Sequence, residues 1–214
     1  MIQQIREKMN CPQCGTEREV ILWEKVNVKM NPDLKEKLFD GTLNMLKCKD
    51  CGYGARIYIP LIYHDMDKKF FIHFAPDYPV GEEKTLIENL DKETATLFDD
   101  SYNNRLRVVF DYKSLLEKIR IFDEDLDDRT IEVCKLLART QLKLKEGIAF
   151  YSETKNNELE FVFFEKEDTS ARHSFSIPKA MCDEVLNLVK EKDQDEGKGF
   201  RVIDLTFAVS VASL

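Results

Sequence analysis

Four cysteines, set as two copies of one short pattern, constrain this chain more than any other feature. Cys11-Pro-Gln-Cys14-Gly15 and Cys48-Lys-Asp-Cys51-Gly52 each hold two thiols three positions apart with a glycine directly behind. A Cys-x-x-Cys step wraps a tight turn whose amides point at both sulfurs, and the glycine takes the positive φ that ends the turn. Two such turns offer four soft donors, a set that suits tetrahedral Zn2+ and leaves no position open for water or substrate. Cys11, Cys14, Cys48 and Cys51 are therefore the expected ligands of one Zn2+. A redox disulfide across one step would leave the second glycine-tailed pair unexplained. The opening residues Met1-Ile-Gln-Gln-Ile-Arg-Glu-Lys8 lack the apolar run of an export signal, so reduced thiols in a cytoplasmic protein are expected. Cys134 and Cys182 sit in helical apolar patterns without partner spacing, which reads as core packing.

Charge bears on partners. Residues 1–79 carry 12 Lys/Arg against 11 Asp/Glu, and residues 80–214 carry 20 against 29, so the acidity lies in the second part. A net charge of −8 is not the footprint of a nucleic-acid binder, whose affinity comes mainly from phosphate contacts. A local basic stripe on the near-neutral first part keeps a nucleic-acid-binding zinc ribbon as the alternative. No stretch has the length of a membrane span.

The 33 residues between the knuckles exceed what a bare ribbon needs. Arg18–Lys29 is rich in β-branched and aromatic residues and reads as one strand. Asn31-Pro32 opens a short helix through Leu34 and Leu38 that Gly41 closes, and a return strand delivers the second knuckle. Ala55–Tyr63 and Lys69–Phe74 read as strands. Beyond Asp77–Gly81 come a helix through Leu86, Leu90 and Leu97, and a strand through Leu106, Val108 and Phe110. Ser114-Leu-Leu-Glu117 matches a capping box opening a helix, and a second helix carries Ile131, Cys134, Ala138 and Leu142. From Gly147 the pattern turns to β: a hairpin about Lys155-Asn156-Asn157, strands at Arg172–Ile177 and Phe200–Ala208, and a helix from Pro178 to about Lys192. The expected fold is α+β, an expanded zinc-ribbon sheet with helical insertions and a smaller β-rich C-terminal part. The expected divisions are a ribbon module over 1–80, a mainly helical segment over 81–146 and a β-rich part over 147–214.

Asp123-Glu-Asp-Leu-Asp127-Asp128 spaces carboxylates like a calcium loop, but the sixth position is Asp128 instead of glycine and the twelfth is Cys134 instead of glutamate. Capping of the next helix by Asp127 or Asp128 accounts for the run. Tyr63-His64-Asp65 reads as a strand ending at a surface turn. Trp23, Tyr53, Tyr58 and Tyr63, with Lys25, Lys29, Lys47, Lys49 and Arg56, would suit a stacking and phosphate surface, yet a small sheet needs large side chains as packing. The chain has no glycine-rich phosphate loop, Gly-x-Ser-x-Gly elbow or His-Glu-x-x-His helix, and catalysis is not expected.

Several of these features, in order, resemble the CpXC-motif family of bacterial proteins: Cys11-Pro12-x-Cys14-Gly15, Asn31-Pro32-Asp33-Leu34, Asp40-Gly41-x-Leu43-Asn44, Cys48-x-x-Cys51-Gly52 and Tyr63-His64-Asp65. Leu116-Glu117-Lys118-Ile119, Phe122-Asp123 and Leu126-Asp127-Asp128-Arg129 extend the likeness to about residue 135. What the resemblance implies is a zinc-binding domain with no established activity. A zinc-stabilised binding or regulatory protein acting through protein–protein contacts is the function to expect.

Overall fold

The computed structural model describes residues 4–102, 105–144, 146–166, 172–193 and 199–213. The chain divides into two compact units, Met1–Tyr112 and Lys113–Leu214.

The first unit opens with β1 (Gln4–Asn10) and β2 (Glu17–Trp23), an antiparallel hairpin in register from Gln4↔Trp23 to Asn10↔Glu17. The strand expected over Arg18–Lys29 is cut at Glu24, after which β3 (Lys25–Asn27) runs in a different sheet. The cut has a local cause: the Glu24 carbonyl accepts the Ile62 N–H and passes the chain to a new partner. Next comes α1 (Pro32–Asp40), which buries Leu34 and Leu38 and ends at Gly41 in the left-handed conformation. Asn31 holds the N-cap position, but its side chain makes no cap hydrogen bond. β4 (Met45–Lys47) and β5 (Gly54–Arg56) form a second antiparallel hairpin.

β6 (Leu61–Asp65) and β7 (Phe70–Phe74) follow, joined by the Asp65–Lys69 turn. The strand expected over Ala55–Tyr63 is thus also two strands, parted at Pro60, which has no N–H to give a ladder. A helix α2 (Glu83–Thr94) stops short of Leu97, which is exposed. The chain then returns as β8 (Leu106–Val109), buried at all four positions. The sheet order is β3-β6-β7-β8, with β3–β6 and β7–β8 parallel and β6–β7 antiparallel. Tyr63, Phe70, Ile72 and Val108 fill its core.

In the second unit α3 (Tyr112–Asp123, its first residue the last of the first unit) and α4 (Asp128–Gln141) lead into a three-stranded antiparallel meander, β9 (Gly147–Lys155), β10 (Glu158–Glu165) and β11 (Arg172–Pro178). Asn156 and Asn157 form the two-residue turn with φ of 51° and 64°, the left-handed pair that a tight hairpin needs. Asp127 caps α4, its carboxylate accepting the Arg129 N–H at 2.9 Å. Ser114 does not open the helix: α3 already begins at Tyr112, and Glu117 turns inward as a buried acid instead of reaching back to a helix end.

α5 (Lys179–Lys192) lies where the sequence predicts a helix. The strand expected at Phe200–Ala208 is instead the approach to α6 (Leu205–Ala212). The Asp204 carboxylate accepts the Phe207 N–H at 3.1 Å and starts a helix, which packs on α4 through elements that bury Ala208 and Val211. The α+β class stands, with helix and strand mixed in both units. Among the described residues no helix is long and apolar enough to cross a membrane.

Candidate metal centre

The two glycine-tailed turns occupy the tips of the two hairpins and repeat each other bond for bond. In the first, Cys11 N–H donates to the Thr16 carbonyl at 2.9 Å and Gly15 N–H to the Cys11 carbonyl at 2.8 Å. In the second, Cys48 N–H donates to the Tyr53 carbonyl at 2.8 Å and Gly52 N–H to the Cys48 carbonyl at 3.0 Å. Gly15 and Gly52 have φ of 74° and 75°, as the turn requires.

Hairpin packing brings the tips together. Val20 and Leu22 of β2 and Leu46 of β4 form a buried cluster, with Ile5, Met9, Tyr53, Ile57 and Ile59 against it. Asn44 reinforces the join. Its side chain accepts the Trp23 N–H at 2.7 Å and donates to the Trp23 carbonyl at 3.0 Å, pairing with β2 as a strand residue would. Its own φ is 54°, which asparagine tolerates.

Cys11, Cys14, Cys48 and Cys51 then converge, with their sulfurs all within 4.8 Å of one another, and the group could hold a metal ion. The closest sulfurs cross between the knuckles: Cys11 to Cys51 at 3.6 Å and Cys14 to Cys48 at 3.5 Å. Cys11 and Cys48 are buried, while Cys14 is exposed.

The surroundings favour thiolate at one position above the others. The Cys51 amide, then the Asp50 amide and the Arg18 guanidinium, bring the Cys48 thiol down to about 6. The Thr16 hydroxyl and amide lower Cys14. The Tyr53 amide acts on Cys51 in the same sense, but burial and the three neighbouring sulfurs outweigh it and push that thiol up to about 12. Four bare thiols crowded together resist full ionisation, and a dication is what would relieve them. Arg18 and Thr16 carry no motif. Only the folding of β2 beside the second knuckle places the Arg18 guanidinium against Cys48 and Asp50.

The other singled-out residues are elsewhere. His64 is not among the metal-ligating group. It is also not the exposed turn residue that its position suggested: it lies half-buried in β6, its Nε2 2.5 Å from the Tyr102 hydroxyl, with Phe71 and Phe98 rings around it. Asp65 is the turn residue, accepting the Asp67 and Lys68 amides at 3.0 and 2.9 Å. Tyr63 stacks on Phe70 in the core, and Arg56 lies over the Tyr112 ring at 4.1 Å while donating to the Gly41 carbonyl. Of the aromatic set, Tyr58 is half exposed. Cys134 and Cys182 are buried as expected, yet they are each other's neighbours, a relation that no sequence spacing encodes.

A family model described as CpXC protein matches residues 9–135, more than half of the chain and all four of the clustered cysteines. No curated protein and no solved structure matches the chain.

Proposed function

The chain belongs to the CpXC protein family, and from that premise we propose that it is a zinc-stabilised cytoplasmic protein that works by binding another protein, without catalysis. The crossed sulfur spacing carries this reading. A tetrahedral site with Zn–S bonds of about 2.3 Å has edges of about 3.8 Å. The Cys11–Cys51 and Cys14–Cys48 separations of 3.6 and 3.5 Å are already close to that. Cys11, Cys14, Cys48 and Cys51 would hold the ion as thiolates. Bound there, Zn2+ supplies cross-linking of the two hairpins, since four sulfurs leave no position at which water could be activated. Arg18 beside Cys48 offsets part of the negative charge that four thiolates bring.

A metal with a purely architectural role leaves the work to surfaces. With a net charge of −8 those surfaces suit a protein better than a phosphate backbone. Elemental analysis is expected to give one zinc per chain, lost in Cys48→Ser. Near-zero zinc in a folded, reduced sample, or unchanged zinc in the variant, would refute the metal assignment. For the partner class, capture should succeed with the metal-loaded chain and fail with Cys48→Ser. Tight retention of DNA or RNA that weakens steeply between two salt concentrations would reassign the surface to nucleic acid.

A further inference from the structure

The second unit holds a pair of thiols that the metal centre does not use. Cys134 on α4 and Cys182 on α5 place their sulfurs 3.0 Å apart, with both side chains buried. The two helices pack directly on each other. A disulfide bond is about 2.0 Å long, so closing this gap takes about 1 Å of movement. Buried cysteines that serve only as small hydrophobes have no need to meet sulfur to sulfur.

We propose that Cys134 and Cys182 form a reversible disulfide, made by a peroxide and separate from the metal centre, that staples α5 to α4. The four clustered cysteines belong to the other unit, so the two sulfur chemistries do not share a residue. The order of events follows from the hydrogen bond. Cys134 donates its S–H to Cys182, which favours thiolate at Cys182 and holds the proton on Cys134.

The Cys182 thiolate attacks one peroxide oxygen. The O–O bond breaks, Cys182 becomes a sulfenic acid, and hydroxide leaves and takes up the proton that Cys182 had released. The Cys134 sulfur then attacks the sulfenic sulfur. The S–S bond forms as S–O breaks, and the departing hydroxide takes the Cys134 proton. Two thiols and one hydrogen peroxide give one disulfide and two waters, the protein losing two electrons and the peroxide gaining them. Burial makes the step wait on local opening of α5, so it runs more slowly than at an exposed thiol.

The test uses the full, zinc-loaded chain in two arms. In the first it is treated with hydrogen peroxide. In the second it is unfolded and refolded with zinc in a mixed oxidised and reduced dithiothreitol buffer, so burial cannot conceal the pair. Blocking of free thiols, digestion without reductant and mass mapping then read the product. The expected result in both arms is one linked pair, 134 to 182, with both thiols lost together, two hydrogens fewer per chain and full recovery on reduction. Zinc content should not change, and amide exchange in α5 should slow several-fold in the oxidised form. Cys134→Ser and Cys182→Ser should each abolish the link.

Three results would overturn the proposal. One is both thiols still free in both arms. Another is oxidation of either thiol to sulfinic acid without linkage. The third is linkage of either thiol to a knuckle cysteine in comparable yield.

Discussion

At Gly41 the backbone closes α1 in the left-handed region, with φ of 79°, and a Cβ built there would run into the Arg56 guanidinium. Gly41→Ala therefore meets two costs at once. A side chain in that conformation costs about 1–2 kcal/mol, and Arg56 must leave both the Gly41 carbonyl and the Tyr112 ring. Urea denaturation of the first unit should show a loss of at least that size. Asn44→Ala should cost about 1–3 kcal/mol, because the Trp23 N–H and carbonyl both lose their partner. At His64, burial first and then Lys25 and Lys69 push the imidazole below its ordinary value of 6.5, against the pull of Asp65. The neutral ring is the folded form, so its contribution to stability is present above 6.5 and fades as pH falls through the lower folded value. An NMR titration of His64 should have its midpoint below 6.5. A midpoint above it would mean that the ring is solvated or paired with an acid.

Between α3 and α4 the molecule buries a set of charges that sequence patterns describe as ordinary helix surface. Lys118 Nζ lies 3.1 Å from both an Asp128 and a Glu132 carboxylate oxygen. Lys135 Nζ reaches Glu132 at 2.9 Å and both Glu117 oxygens at 3.1 Å, and Glu117 also accepts the Tyr151 N–H from β9 at 2.6 Å. Burial alone would lower Lys118, but Asp128 and Glu132 hold it up as a cation. Lys118→Met should thus cost about 3–5 kcal/mol, since it takes this cation from the buried Asp128 carboxylate and leaves Glu132 to Lys135 alone. A loss under about 1 kcal/mol in chemical denaturation would show that water or Lys135 takes over. What was legible in the sequence was local: both knuckles, the Pro32-to-Gly41 helix and the Asn156-Asn157 turn each declare themselves within about ten residues. What was not legible was set across the fold. Glu117 satisfies a capping-box spacing yet serves Lys135 and Tyr151, and Phe200–Ala208 has strand composition until Asp204 caps a helix. The Cys134–Cys182 contact joins residues 48 apart.

For the whole molecule, the division into Met1–Tyr112 and Lys113–Leu214 means that metal removal should act unevenly. Chelation of the zinc-loaded chain should raise amide exchange across β1, β2, β4 and β5 while α3, α4 and the β9–β11 meander stay protected. Equal loss in both units would show that they fold as one. The repeated hydrogen bonding of the two hairpin tips carries one more consequence. Each tip is half a clasp, two sulfurs on a prebuilt turn, and neither half grips an ion well without the other. With zinc in the site proposed above, closure would depend on ion concentration as well as on temperature, and the share of the first unit that is intact would rise and fall with the metal its surroundings can spare.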